Sequence, residues 1–505
     1  MNTMTRGCLC LALCLCLTFG VIAGAAAAPD LAAGIEAGNL RLVPVDPVVR
    51  HDPAETLAAI AACYGEDAEG ITPGFLSVLE QGELPVNGTD APHLEPISFS
   101  PDGTRMLAWL GSTLLVADMR EGKLQFPWRL ADDLSDEMRE HVRRMMRDPE
   151  LLYHSWSADG NTLAFSSPRK VIAQGFFGAN LWLADLGDGS FRPLFPDLPV
   201  NGKIGKGDYE QGVPYRAVFD AERPILYYDV YGALSASQEQ SGCMTYAYDL
   251  TTGTHTPLLF VEREWVTLEV LHPYGGGLLT LAIHREPDKG VSLITVSPEG
   301  EGALRPVPTG DGNIAPALWR MSRLVEATEN RAVLLPLRGS SGNGYGAELN
   351  LATVLTERML LLVDPAAPED AWTNIHIIEA RDGKGQLKPI ENADVYVAEM
   401  EASGVTVKDL IASNGFKLFN ATFSPDGAYL LLVGREETAG ALYLVDLATM
   451  ACAGVRIGQQ EWTLPILAGV YETPMNLKNP RGLQWLPDGR VLLWDGKENQ
   501  LFEWE

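Results

Sequence analysis

Few residues in this chain are spaced for chemistry. The 8 histidines, from His51 to His376, occur singly. A lone imidazole becomes a base or a metal ligand only when folding brings partners to it from elsewhere. The sequence contains no H-E-x-x-H, EF-hand loop, Walker phosphate loop or G-x-S-x-G. The nearest approach to a nucleophile turn is Gly339-Ser340-Ser341-Gly342-Asn343, which lacks the closing glycine and reads as a Gly-rich loop. Of the 7 cysteines, Cys8, Cys10, Cys14 and Cys16 fall in an apolar N-terminal run. Cys63, Cys243 and Cys452 are too widely spaced for a disulfide framework or a zinc site. No catalytic residue, metal or cofactor is expected, and the three later thiols are expected to stay unbridged.

Binding is the chemistry that remains. Arginine and aromatic side chains are the usual anchors of interfaces. The candidates are Arg143, Arg144, Arg169, Lys170, Phe176, Phe177, Tyr209 and Tyr345. Arg143 and Arg144 belong to a predicted helix, Asp132 to Arg147, with acids at its start and arginines at its end. Its stripe Leu134, Met138, Val142, Met145 and Met146 suits docking on a larger body, and Arg139, His141, Arg143, Arg144 and Arg147 form a basic cluster. Further helices are expected at Ala54 to Cys63 and near Asp394 to Ser413.

The elements that would hold these candidates come from a repeat. It reads SFSPDG at Ser98 to Gly103, SWSADG at Ser155 to Gly160, TFSPDG at Thr422 to Gly427 and QWLPDG at Gln484 to Gly489. Each copy leads into an apolar run, and three of the four give a second apolar strand ending in Asp. Pro fixes φ, Asp accepts a local backbone bond, and Gly supplies the positive φ that closes a hairpin. Degenerate copies turn near Asp220, at Gly275 to Gly277 and near Glu329. Turns at 102, 159, 220, 275, 328, 426 and 488 are separated by about 57, 61, 55, 53, 98 and 62 residues, the length of a four-stranded unit plus loops with one long step.

The expected fold is therefore all-β: a β-propeller of seven four-stranded blades, with six or eight as alternatives. The blades are expected at Ile97 to Trp128, Tyr153 to Phe195, Pro214 to Phe260, Glu264 to Val307, Pro316 to Ala380 and Asn420 to Ile457, with the last from Gly482. The last has room for three strands. Asn39 to Val45 is the expected fourth, closing the ring by pairing the N- and C-terminal strands; Pro44 is tolerable there if the outer edge is unpaired. The domains are then 1–28 as a signal peptide, 29–96 as an N-terminal segment, and 97–505 as the propeller with insertions at 130–152 and 381–419.

These repeats resemble the TolB-like, WD-like propeller family, whose units carry W/F-S-P-D-G, a strand, and a strand ending like YVVDL. The resemblance covers the chain from about Ile97 onward and is specific in four units. It implies fold and no catalytic residues. Prolyl-oligopeptidase-type enzymes join a similar propeller to a hydrolase domain, for which no sequence follows here.

Charge and the N-terminus bound the setting. Formal net charge is -28, from 38 basic and 66 acidic residues, which opposes binding to nucleic acid or anionic membrane surfaces. Arg6 followed by an uncharged run to Ala28 reads as an export signal, either cleaved near Ala28 or retained as an anchor. The expected location is the periplasm, cell surface or outside of the cell. Asn87-Gly88-Thr89 and Asn420-Ala421-Thr422 are glycosylation sequons. Two functions fit: a non-enzymatic scaffold that binds another protein or an envelope ligand, or a propeller hydrolase or lyase with acid-base groups at the channel mouth. In either case the long B–C and D–A loops, which share one face of an up-and-down ring, are the expected meeting place.

Overall fold

The computed structural model describes residues 30–64, 77–87, 93–110, 113–125, 129–130, 136, 153–166, 181–195, 213–234, 241–262, 265–274, 277–284, 291–297, 302–306, 322–327, 332–336, 361–363, 416–436, 439–449, 451–458, 483–494 and 499–505. The expected signal, the helices at 132–147 and 394–413 and most of the long loops lie outside them. Helix α1 (Leu31–Ala37) starts at Asp30, whose side chain accepts Ala33 N–H at 3.0 Å, and ends at Gly38 with φ 63. Its Ile35 is buried. The sequence reading did not anticipate α1. It did place α2 (Pro53–Tyr64). Around α2 lie β1 (Arg41–Pro44), β2 (Val48–Arg50) and β3 (Glu83–Pro85), with β2 and β3 paired antiparallel.

Antiparallel units follow in chain order. Unit 1 is β4 (Leu94–Phe99), β5 (Arg105–Leu110), β6 (Thr113–Asp118) and β7 (Lys123–Gln125). After β8 (Arg129–Leu130), unit 2 is β9 (Tyr153–Trp156), β10 (Thr162–Ser166), β11 (Trp182–Asp185) and β12 (Ser190–Pro193). Unit 3 is β13 (Val213–Phe219), β14 (Ile225–Leu234), β15 (Ser241–Asp249) and β16 (Thr254–Glu262). Unit 4 is β17 (Trp265–Tyr274), β18 (Gly277–His284), β19 (Val291–Val296) and β20 (Gly302–Pro306). Unit 5 shows β21 (Ser322–Ala327), β22 (Ala332–Pro336) and β23 (Leu361–Val363). Unit 6 is β24 (Phe416–Phe423), β25 (Tyr429–Glu436), β26 (Ala439–Asp446) and β27 (Cys452–Ile457). Unit 7 is β28 (Leu483–Trp485), β29 (Val491–Trp494) and β30 (Asn499–Trp504).

The sheets are face-packed, so a strand such as Val491–Trp494 is buried along its whole length. That is why the B strands read as unbroken apolar runs and not as alternating ones. First strands lie side by side in succession, β9 against β13, then β17, β21, β24 and β28. The architecture is a propeller-like stack of sheets.

The terminal strand behaves as expected on one side and differently on the other. β1 pairs antiparallel with β30, Leu42 opposite Trp504 and Pro44 opposite Phe502. Its outer edge was expected to be bare; instead it pairs in parallel with β27, Arg41 opposite Arg456 and Leu42 opposite Ile457. Units 6 and 7 thus share one 8-stranded sheet. Pro44 lies beyond the parallel register, so its missing N–H leaves no ladder bond unmade. A second added strand, β8, pairs in parallel with β12. Among the described residues β16 and β20 carry no added strand. One more boundary is adjusted: unit 1 begins at Leu94.

Neither Cys243 nor Cys452 takes part in a disulfide. Titration of the chain from residue 29 onward in denaturant should therefore report three reactive thiols; a single one would reveal a crosslink. Leu42 is fully buried between units 6 and 7. Leu42→Ala should lower unfolding stability by about 2–5 kcal/mol in urea titrations. A change near zero would mean that β1 is not part of the cooperative core.

Candidate functional site

Two kinds of turn set one face of the stack. In the A–B turn of unit 1, Ser100 Oγ donates to Asp102 Oδ1 at 2.7 Å and accepts Arg105 N–H at 3.0 Å. Asp102 also takes Thr104 N–H at 3.0 Å, and Gly103 has φ 69. Ser157, Asp159 and Gly160 repeat the arrangement, as do Ser424, Asp426 and Gly427. The QWLPDG copy has Leu486 in place of serine and closes one residue sooner, with Leu486 N–H on Arg490 O at 2.8 Å. In the degenerate copy Asp220 stands at the serine position. Its carboxylate accepts Glu222 and Arg223 N–H, the Arg223 guanidinium at 2.7 Å and the Tyr227 hydroxyl at 2.9 Å.

The second kind explains the aspartate that ends the C strands of units 1, 2, 3 and 6. Asp118, Asp185, Asp249 and Asp446 each accept two N–H groups of the C–D turn that follows. On this face the turn carboxylates are thus committed to their own backbone. Burial opposes ionisation of Asp102, Asp159 and Asp220, but these hydrogen bonds outweigh it and hold all three below the usual carboxylate value. For Asp426 the bond from Ser424 is the leading cause of the same lowering.

Between units, a polar residue just before the repeat aromatic crosses to the next first strand. Gln484 of unit 7 accepts Phe99 N–H at 2.9 Å and donates to Phe99 O at 3.1 Å in unit 1. Ser98 of unit 1 accepts the Trp156 indole N–H at 3.0 Å and lies 2.6 Å from His154 Nε2 in unit 2. Ser155 of unit 2 accepts Phe219 N–H at 2.9 Å in unit 3. First strands have a sheet edge facing inward, and an edge amide needs a partner. For Phe99 and Phe219 the neighbouring unit's side chain is that partner. Asn499 adds a bond to Pro96 O at 2.8 Å. None of these residues was singled out from the sequence. Their signal was present as the variable first letter of the repeat: Gln, Ser, Ser, Thr.

Among the described residues of this inner layer, His154 is the titratable group whose environment is strongly altered. Burial lowers its pKa to about 4, so it is neutral at pH 7. Burial also lowers His51 and His255. His51 contacts Thr56 and His255 contacts the Tyr228 hydroxyl, far from one another in the fold. No group of three or more His, Cys, Asp or Glu side chains suited to a metal occurs among the described residues.

The eight expected contacts, Arg143, Arg144, Arg169, Lys170, Phe176, Phe177, Tyr209 and Tyr345, lie outside the described residues. The strand ends flanking three of their segments are placed. In unit 2, Ser166 pairs with Tyr153 and Trp182 with Pro193, at the end of the sheet away from the Ser157–Asn161 turn. Segments 131–152, 167–180 and 196–212 join that end. Of the sequons, Asn87 is 5% exposed with φ 68, and its Nδ2 donates to Val45 O at 2.7 Å. The folded chain offers this amide to no glycan. Asn420 lies within β24.

No family model matches the chain, and no curated protein matches it. Solved structures do. A dipeptidyl peptidase 4 of Porphyromonas gingivalis is 9% identical with a TM-score of 0.36, over 73% of this chain and 47% of that one. An oligogalacturonate lyase in complex with manganese is 13% identical with a TM-score of 0.35, over 69% and 86%. A TolB protein of Agrobacterium tumefaciens is 11% identical with a TM-score of 0.25, over 44% and 68%. The chain spans about half the length of the peptidase. These neighbours are TolB-like and propeller proteins, and neither substrate nor partner carries over. No helix among the described residues is long and apolar enough to cross a membrane.

The histidine predicts a pH dependence. Unfolded, His154 titrates near 6.5; folded, near 4. Between these values the unfolded chain holds more protons, so stability is complete above 6.5 and declines toward 4. The expected loss is roughly 1–3 kcal/mol. His154→Gln should flatten urea midpoints between pH 6.5 and 4.5. Parallel decline of variant and wild type would show that other groups set the acid response.

Proposed function

We propose that this chain is an exported, closed propeller of seven blades that serves as a binding scaffold for another protein or an envelope ligand. Closure is supported by β1 completing unit 7 and by Gln484 meeting Phe99. The count rests on treating 381–419 as an insertion. A further four-stranded sheet there would make it eight.

The observation that carries the binding reading is the character of the turn face. Asp102, Asp159, Asp426, Asp118, Asp185, Asp249 and Asp446 all bond to adjacent backbone amides. Carboxylates tied to their own turns hold register there and leave the long connections as the adaptable surface. Recognition is then left to the opposite face and its long connections, with Arg143, Arg144, Arg169, Lys170, Phe176, Phe177, Tyr209 and Tyr345 as the proposed contacts. The -28 charge favours export to an aqueous compartment and partners that are not polyanions.

A hydrolase or lyase is the second reading. The contact of Ser98 Oγ with His154 Nε2 at 2.6 Å is the observation in its favour. A buried imidazole with pKa about 4 is a poor base at neutral pH, and Ser98 is 4% exposed, so the scaffold reading stands first.

The test is capture from the native envelope with the chain from residue 29 onward as bait, followed by the Arg169→Ala, Phe177→Ala double variant against the captured partner. Binding should weaken by roughly tenfold or more with the melting temperature unchanged. Binding that survives these changes but is lost on altering the short-turn face would reverse the assignment.

A further inference from the structure

Three outer strands carry a proline whose direction the backbone hydrogen bonds fix. In unit 2 Leu194 N–H donates to Leu181 O at 2.7 Å. Leu194 and Arg192 therefore face the β11 side, and Phe191 and Pro193 face outward. In unit 7 Val45 N–H donates to Leu501 O at 2.9 Å and Glu505 N–H to Arg41 O at 3.0 Å, which turns Leu42 and Pro44 away from β30. In unit 3 Asp249 O accepts Gly253 N–H at 2.8 Å, so Asp249 faces β16. Alternation from the Asp249–Thr254 pair puts Thr256 inward, with His255 and Pro257 outward.

Where a strand is laid on such an edge, its ladder ends before the proline. β8 pairs with Ser190 and Phe191, one outward position short of Pro193. β27 pairs with Arg41 and Leu42, one outward position short of Pro44. The hydrogen bonds show the reason on the second edge. Arg456 N–H donates to Leu40 O at 3.0 Å and Gly458 N–H to Leu42 O at 2.8 Å. The next bond of an evenly spaced parallel ladder would bring an N–H of residue 44 to Gly458 O. Proline has none, and Arg41 Nε donates to that carbonyl instead, at 2.9 Å. β27, Cys452–Ile457, contains no proline and is an interior strand of its sheet.

Pro257 stands in unit 3 where Pro193 stands in unit 2. Asp185 to Pro193 and Asp249 to Pro257 are the same step from the aspartate that ends the C strand. β16 has 9 residues against 4 in β12, and a long outer strand is a template for another chain. We propose that Pro257 is a ladder stop that keeps the outer edge of unit 3 from pairing with the same edge of a second copy. Two β16 strands related by a two-fold axis would meet antiparallel. Pro257 lies near the middle of the strand, so each copy would lack a donor where the ladder needs one. Pro44 and Pro193 act in the same way on the strands laid against them, setting how far those ladders run.

Sedimentation of the chain from residue 29 onward tests the stop. Pro257→Thr supplies an outward N–H and breaks no bond to β15. It should self-associate roughly tenfold or more tightly than the wild type, with an unchanged melting temperature. Pro257→Ala restores the same N–H with a smaller side chain and should associate as well. If both variants sediment as the wild type does, Pro257 is no stop and the proposal falls. Thr256→Pro checks the direction of the strand. It removes an inward donor, so it should lower the urea midpoint and leave association at the wild-type level. Full stability in Thr256→Pro would mean that Pro257 faces inward, which also overturns the proposal.

Discussion

Everything in this fold turns on the sheet edge. A four-stranded antiparallel unit has an inner and an outer edge, each with unpaired N–H and C=O groups, and neither can be buried without partners. The inner edge is satisfied from the neighbouring unit, by Gln484 for Phe99 and by Ser155 for Phe219. In units 2, 6 and 7 the outer edge is met from outside the repeat, by β8 on β12 and by β1 lodged between β27 and β30. The residues before Leu94 are thus parts of the core: Val49, Leu79, Leu84 and Val86 are buried in the same cluster as Phe99 and Trp182.

The turns divide the labour between the two ends of the stack. Short hairpins closed by aspartate and glycine fix one end, with Gly103, Gly160, Gly427 and Gly489 all at positive φ. Such turns hold strand register and leave little freedom. Where the chain needed a different solution, as in AVFDAERPIL, Asp220 replaced serine and gained Arg223 and Tyr227 as partners in place of a glycine turn. The same strand geometry is reached by two chemistries, so the repeat tolerates loss of its motif.

Much of this was legible because it is local. Ser-Pro-Asp-Gly announces a hairpin within six residues, and Asn39 to Val45 was recognisable as an unplaced strand in a chain whose last unit lacked one. What eluded the sequence was long-range. β8 is two residues long and has no pattern of its own; only β12 beside it makes it a strand. Gln484 looks like any surface glutamine until Phe99 stands next to it. The bare outer edge expected for Pro44 failed because nothing in the sequence of β1 reveals a parallel neighbour at Arg456 and Ile457. The proposed contact residues sit in long connections where composition suggests use but spacing imposes no geometry.

The position of β1 couples two distant stretches of chain. Arg41 Nε donates to Gly458 O across 417 positions of sequence, and its guanidinium lies 2.8 Å from the Glu505 carboxylate. Contacts this far apart in sequence are slow to form, because a long loop must close before they are rewarded. Until β1 lies between β27 and β30, apolar Leu42 has no core to enter, so the setting of units 6 and 7 waits on a strand from far upstream.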